Sequence, residues 1–387
     1  MSEALPRLPA PFGQSIDRER EVSFSFEGRT YQGYAGDSVA SALWANGVRV
    51  LSRSFKYKRP RGILSLTGLD GGALMQVGDE PNVPADRLLL APDLPAITAQ
   101  NYIGSFEHDR GALAGLFSRF LPVGFYYRAF FRPKGAWKFF ERIIRQSGGL
   151  GRLRPDSSHP PQTDKQYLFC DVAVVGSGPA GIAAAAAAAR RGADVLLIES
   201  EPRIGGSLLL GRAEECPQAA DLLAEVQASP NVRILTSSLV QGLYADNWLA
   251  VESPARLYKV RARHVVAATG SFEQPLIFHN NDLPGVMLAS AARRLLWLYG
   301  VAPGKRAVVG TVNDEGLATA VDLLDAGVEV ELVADLRNAG ARGPLHEYLA
   351  GRGVRVLMQT AIYEAVSKRA GLSGIFGAPV SAVRVAP

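Results

Sequence analysis

The chain has 387 residues, of which 47% are apolar and 20% charged, so it is long enough for two or three folded domains, and intrinsic disorder is excluded as its main state. Lys plus Arg exceed Asp plus Glu by 42 to 37; the excess is spread without dense basic stripes, and no nucleic-acid partner is expected. With two cysteines, Cys170 and Cys216, the chain cannot assemble a four-thiolate zinc site, a disulfide scaffold or a four-cysteine iron-sulfur centre from its own residues.

Arg18-Glu19-Arg20-Glu21 and its surroundings lack the apolar run of a leader. The longest apolar run, Ile182 to Ala189, is mostly alanine and falls short of the roughly 20 residues that cross a bilayer. The expectation is a cytoplasmic protein with no membrane span. Val22-Ser-Phe-Ser-Phe26 and Thr30-Tyr-Gln-Gly-Tyr34 alternate about Glu27-Gly28-Arg29, which predicts a hairpin. Gly36-Asp37-Ser38 caps a helix with Val39, Ala42, Leu43 and Asn46 on one face and Gly47 at its end. A strand is expected from Val48 to Phe55. This order is similar to the start of a small α+β beta-grasp domain of the plant-type ferredoxin sort; an unrelated α+β module is the alternative. The following loop, Arg53-Ser-Phe-Lys-Tyr-Lys-Arg-Pro-Arg-Gly62, holds no cysteine, and the expectation is a domain without an iron-sulfur cluster. Its cations Arg53, Lys56, Lys58, Arg59 and Arg61 suit either a grip on an acidic partner or phosphate, or a solvated loop.

Residues 106–145 are dense in aromatics and cations, among them Phe125, Tyr126, Tyr127, Phe130, Phe131 and Trp137. Pro122, Gly124, Pro133 and Gly135 interrupt any continuous amphipathic helix, so the segment is read as an interdomain or intersubunit contact. Gly148 to Asp164 reads as a linker.

Asp171-Val-Ala-Val-Val175 is an apolar strand that runs into Gly176-Ser-Gly178-Pro-Ala180-Gly181 and an alanine-rich helix ending near Arg191. A second strand, Ala193 to Ile198, ends in Glu199, 23 residues after Gly176. That is the dinucleotide-binding unit: glycine for the tight turn, for backbone approach to a pyrophosphate and for close helix–strand packing, with an acid placed for a ribose hydroxyl. Glu199 disfavours a 2'-phosphate but does not separate NAD from FAD. Ile204-Gly-Gly-Ser207 is a glycine turn of the kind found beside FAD, and Val265-Val-Ala-Ala-Thr-Gly270 ends a strand in a pattern common to flavoproteins with two nested nucleotide domains. Arg306-Ala-Val-Val-Gly310, a helix from Asp314 and a strand from Val328 supply the second domain's skeleton. Its phosphate loop lacks the glycine spacing, and Asp314 and Glu315 put negative charge at the helix start, so that domain is expected to take no dinucleotide. The histidines show no metal-ligand spacing, and no metal site or catalytic side chain is assigned.

Gly36-Asp-Ser-Val-Ala-Ser-Ala-Leu43, the Arg53–Gly62 loop, Glu80-Pro-Asn82, Pro122-Val-Gly-Phe-Tyr-Tyr127 and Gly176-Ser-Gly-Pro-Ala-Gly181 together resemble the alpha subunit of heterotetrameric sarcosine oxidase, from about residue 15 to the end. The resemblance implies an α/β, Rossmann-like FAD/NAD(P)-binding fold over 169–387, with a nested second nucleotide-type unit from about 280. Before it come a beta-grasp domain at 15–105 and a connecting segment at 106–168. It also implies a noncovalent NAD held by Gly176, Gly178, Ala180, Gly181, Glu199, Ser200, Glu201 and Ser207, with FAD and FMN on or against a beta-type flavin subunit that oxidises an N-methyl amino acid. The family's alpha chain continues into a folate-binding, aminomethyltransferase-like domain; this sequence ends at Pro387, and no folate chemistry is expected of these residues. Two alternatives stand beside this reading: an FAD-binding subunit of a dye-linked opine, proline or glycine dehydrogenase (hydrogen cyanide synthase-like), and a noncatalytic scaffold.

Overall fold

The computed structural model describes residues 7–68, 70–113, 135–147, 151, 164–211, 217–367 and 379–386. Most of the aromatic segment, at 114–134, and nearly all of the expected linker lie outside the described residues. The chain forms two compact units, one of residues 1–157 with 273–387 and one of residues 158–272. The segment read as a nested second nucleotide unit therefore clusters with the N-terminal part of the chain.

In the first unit, β1 (Asp17–Phe26) and β2 (Arg29–Ala35) form the expected hairpin, pairing Val22 with Gly33 and Phe26 with Arg29. With β5 (Leu74–Val77), β6 (Glu80–Pro84) and β7 (Ile97–Ala99) they make a five-stranded sheet in the order β2-β1-β7-β5-β6. Helix α1 (Val39–Ala45) begins where the Ser38 hydroxyl accepts the Ser41 N–H at 3.1 Å. Every one of its residues is buried, and Leu43 and Trp44 each contribute roughly 1.5–3 kcal/mol by leaving water. Asp37, fully buried at the cap, is held by the Arg7 guanidinium at 2.6 Å, by the Tyr34 N–H and by the Ser41 hydroxyl.

The strand expected over Val48–Phe55 shrinks to β3 (Ser52–Arg53), paired with β4 (Pro60–Arg61). Arg49 turns back instead, donating to the Trp44 carbonyl with its guanidinium over the Trp44 ring, and burial lowers its pKa to about 10. The basic loop finds its acidic partner within the chain. Arg59 donates to Asn280 and Asp282 at 3.0 and 2.7 Å, and Arg61 pairs with the same Asp282. Arg53 and Lys58 are each only 4% exposed.

Helix α2 (Trp137–Ser147) precedes the second unit, a six-stranded sheet in the order β10-β9-β8-β13-β12-β11. Its strands are β8 (Asp164–Val175), β9 (Val195–Ile198), β10 (Val232–Leu235), β11 (Leu239–Tyr244), β12 (Trp248–Ser253) and β13 (Arg256–Ala267), with α3 (Pro179–Ala189) and α4 (Pro217–Ala228). Strands β10, β9, β8 and β13 run parallel, while β11, β12 and β13 form an antiparallel meander. All of β9 is buried because both sheet faces are covered. Val174, Ile182, Ala185 and Leu197 pack on the helix side, and Ala173, Leu196, Ile198 and Val260 on the other.

The chain then returns to the first unit through α5 (Ala289–Trp297), β14 (Arg306–Thr311), α6 (Asp314–Asp325), β15 (Glu329–Asp335), α7 (Pro344–Gly351), β16 (Arg355–Met358) and the pair β17 (Ala361–Ser367) and β18 (Val380–Ala386). Strands β14, β15 and β16 are parallel. Leu296, Leu317, Val333 and Leu349 make their core together with Phe12 from the N-terminal segment, and the Trp44 indole N–H donates to the Pro303 carbonyl. Those contacts join the first and last stretches of the chain into one unit. No helix among the described residues is long and apolar enough to cross a membrane.

Candidate dinucleotide site

The crevice is built where β8 and β9 end. Gly176 has φ +97°, and a Cβ there would stand 2.3 Å from the Ala268 carbonyl oxygen at the end of β13. A Cβ on the buried Gly181 would stand 1.9 Å from the Gly176 carbonyl oxygen, so the helix lies against the turn only because both are glycine. Gly178, the N-cap of α3, has nothing within 4 Å of the position its Cβ would take. That open side lies at the helix N-terminus, whose first turn carries no acid and includes the exposed Ala180. Unpaired N–H groups and the helix dipole favour an anion there. Gly206, at φ +54°, rests on this turn, its Cβ position 2.7 Å from the Gly178 Cα, and it opens the short helical turn Gly206–Leu210 with Ser207 exposed.

Glu199 follows β9 and is 7% exposed. Its Oε2 accepts the Ser177 N–H at 2.8 Å and the Ser177 hydroxyl at 2.5 Å. Its Oε1 accepts the Glu201 N–H at 2.8 Å and the Ser200 hydroxyl at 3.2 Å. Ser177 also ties in the glycine turn, its Oγ accepting the Gly205 N–H at 3.2 Å. The eight residues predicted for this site thus lie in the loops and helix starts that follow β8 and β9, and the open cradle at Gly178 beside a buried carboxylate fits a pyrophosphate and its ribose. The motif does not single out Ser177; its only signal in the sequence is a hydroxyl residue between two loop glycines.

In the other βαβ segment, Asp335 ends β15 as Glu199 follows β9, but a guanidinium and an imidazole hold it. The Arg337 guanidinium donates to its carboxylate at 2.8 Å and His346 Nε2 stands 2.9 Å from it. Arg337 also reaches Asp314 at the start of α6, at 2.8 Å. Burial pushes the Asp335 carboxyl up, but the Arg337 and His346 hydrogen bonds outweigh it and hold the pKa below its ordinary value. The Asp314 and Glu315 charges at the α6 start, together with this Arg337 bridge, leave nothing like the open cradle at Gly178. Cys170, partly buried, has its thiol pushed up to about 11, chiefly by burial and then by Asp194 and Asp171.

Residues 170–377 match the family described as pyridine nucleotide-disulphide oxidoreductase. Since that stretch is more than half of the sequence, the chain belongs to this family of oxidoreductases. The resemblance read from the motifs is borne out: the chain is similar to the sarcosine oxidase alpha subunit of Rhizobium meliloti (strain 1021), 41% identical over 348 residues, 84% of this chain and 35% of the relative. It is also similar to one of the subunits of the opine oxidase of Agrobacterium tumefaciens (strain Ach5), 30% identical over 47% of this chain and 40% of that protein. The chain thus spans about a third of the length of the sarcosine oxidase alpha subunits it matches. The L-proline dehydrogenase from P. horikoshii shares the fold, with a TM-score of 0.59 and 22% identity over 83% of this chain and 55% of that one.

A further match corrects an expectation. Residues 19–101 fall in the family described as 2Fe-2S iron-sulfur cluster binding domain, which overturns the expectation of a chain with no iron-sulfur cluster. That expectation rests on a count of cysteines, and such a count bears only on thiolates drawn from the chain itself. Residues 19–101 contain no cysteine, and among the described residues no group of three or more His, Cys, Asp or Glu could hold a metal. The side chains present there do not fit cluster ligation.

Proposed function

We propose that this chain is the dinucleotide-binding, alpha-type subunit of a sarcosine oxidase-like flavoenzyme that oxidises the C–N bond of an N-methyl amino acid. The observation that carries this reading is the buried Glu199 carboxylate beside the open Gly178 cradle, in a chain 41% identical to a sarcosine oxidase alpha subunit. In this reading the second unit has the Rossmann-like fold and residues 15–105 are a beta-grasp domain. When bound, the dinucleotide supplies a nicotinamide ring. The chain's own residues do the holding: amides at the α3 N-terminus meet the pyrophosphate, Glu199 accepts a ribose hydroxyl, and Gly206 keeps the turn close. We take the bound species to be NAD, with FAD and FMN on or against a beta-type flavin subunit where the amine is oxidised.

The similarity to part of an opine oxidase and the Ala268-Thr-Gly270 turn, with Gly270 at φ +75°, favour a second reading, an FAD-binding subunit of an opine or proline dehydrogenase. The test is to purify the chain with the products of neighbouring genes, record the visible spectrum and identify the nucleotide released on denaturation. NAD on this chain with flavin on a partner supports the first reading. FAD on this chain supports the second, and a nucleotide-free complex that oxidises no amine refutes both.

A further inference from the structure

The Glu199 carboxylate has about four lone-pair directions, and the protein already uses four donors on it. The two on Oε2 both come from Ser177, through its N–H at 2.8 Å and its hydroxyl at 2.5 Å. The carboxylate can only accept, so the Ser177 hydroxyl proton points to Glu199, while its Oγ shares the Gly205 N–H, at 3.2 Å, with the Ser177 carbonyl, at 3.1 Å. Ser177 is fully buried, so no water competes for that bond. The two donors on Oε1 differ. The Glu201 N–H is fixed backbone at 2.8 Å, whereas the Ser200 hydroxyl, at 3.2 Å on a partly exposed residue, makes the longest of the four bonds and is free to rotate away.

We propose that Ser177 is a positioning residue which locks the Glu199 carboxylate so that only Oε1 is offered to a ligand, and that this lock sets the preference for an unphosphorylated ribose. The proposal rests on the reading of this crevice as an adenine-dinucleotide site. A ribose hydroxyl takes the place of the Ser200 hydroxyl on Oε1, and Oε2 stays fastened. A 2'-phosphate offers no proton to Oε1 at neutral pH and meets a negative charge that cannot swing aside, because rotating the carboxylate would break both Ser177 bonds in a buried place. Without the Ser177 hydroxyl, one backbone N–H holds Oε2, and the carboxylate can turn from the phosphate.

The experiment uses the full chain freed of nucleotide, titrated calorimetrically with ADP-ribose and with its 2'-phosphate. These probes carry the adenosine diphosphate common to NAD and FAD. The expected result is that the wild-type chain strongly prefers ADP-ribose and that Ser177→Ala loses about tenfold of that preference, the weight of one hydrogen bond to a charged group. Ser229→Ala, which removes a hydroxyl that donates to the Glu225 carbonyl at the far end of α4, keeps the wild-type preference. An unchanged preference in Ser177→Ala overturns the proposal. So does an equal loss of preference in Ser229→Ala, which would mean that the effect is not specific to the Ser177 bond. A wild-type chain that binds neither probe refutes instead the reading of the crevice on which the proposal stands.

Discussion

Asp86 should make the first unit less stable as the pH rises. It is 5% exposed, its Oδ2 accepts the Gly68 N–H at 2.6 Å, and its Oδ1 has no hydrogen-bond partner. Beside it the equally buried Asp70 takes up the N–H groups of Leu64, Ser65 and Leu66. Burial, and next the Asp70 charge, push the Asp86 carboxyl from 3.8 up to about 6, against the smaller pull of the Gly68 bond. A carboxyl raised in the folded state lends stability that is complete below its unfolded value and is lost as the pH climbs through its folded one. The loss over this window is about two pKa units, or ~3 kcal/mol. Asn at this position stays neutral, can keep the Gly68 bond through its carbonyl and can donate its amide toward Asp70. Asp86→Asn should therefore match the wild type near pH 4, gain about half the difference by pH 5 and exceed it by about 3 kcal/mol above pH 7. Urea unfolding followed through the buried Trp44 measures this as a midpoint shift at constant slope. A difference independent of pH, or a less stable Asn variant at pH 8, would refute the reasoning.

The phosphate-loop glycines should separate folding from binding. Gly178→Leu, whose Cβ meets nothing within 4 Å, should leave thermal stability within about 1 kcal/mol, as surface changes do, and abolish nucleotide retention. Gly181→Ala, whose Cβ would stand 1.9 Å from a backbone oxygen, should lose both, seen by calorimetry and by nucleotide release. Asp335→Asn should cost about 3 kcal/mol at pH 7 by leaving the buried His346 without its anion and Arg337 with Asp314 alone. Because the Asp335 pKa is depressed, the stability it lends is present above the unfolded value and fades as the pH falls through the folded one, so the gap between variant and wild type should close in acid unfolding curves. With its thiol near 11, Cys170 should resist iodoacetamide at pH 8 in the native chain and react on unfolding, followed by peptide mass spectrometry.

The elements that could be read from the sequence carry their information locally. The β1–β2 hairpin follows from alternation about Glu27-Gly28, and α1 from Ser38 and Gly47 at its ends. The β8–α3–β9 unit follows from an apolar strand, three glycines and an acid at fixed spacing. What could not be read depends on partners distant in sequence. The first half of β8, Asp164-Lys-Gln-Tyr-Leu-Phe169, looks like polar linker, and it is a strand because β13 pairs with it from Arg256 to Arg261. Val48–Phe55 has a strand's composition, but Arg49 turns in to Trp44 and only Ser52–Arg53 pairs. The basic loop gave no sign that Asp282, more than 200 residues on, would hold Arg59 and Arg61. At the candidate site the glycines and Glu199 were legible as a motif, whereas the Ser177 contact to Glu199 spans 22 residues and exists only once the turn has formed.

The two βαβ segments show why topology alone does not choose the nucleotide site. Both run strand, turn, helix, strand and then a buried acid. At Glu199 the donors are a backbone amide and a hydroxyl on each oxygen; these orient the carboxylate without cancelling its charge, and the facing helix start carries no acid. At Asp335 the partners are Arg337 and His346, and Arg337 is shared with Asp314 at the helix start. The first arrangement has negative charge for a ribose hydroxyl, with the long Ser200 bond the one to be displaced, and a positive helix end for a phosphate. In the second, cation and anions satisfy one another, so a dinucleotide would have to break an internal ion network before making any bond of its own. On the proposed reading, nucleotide chemistry therefore belongs to the crevice at Gly178. Replacing both Asp314 and Arg337 by alanine should not create a second site, because Glu315 and the missing glycine spacing of residues 310–316 would still oppose a pyrophosphate; a second equivalent of bound ADP-ribose in that variant would show that the network, rather than the loop, is what excludes it.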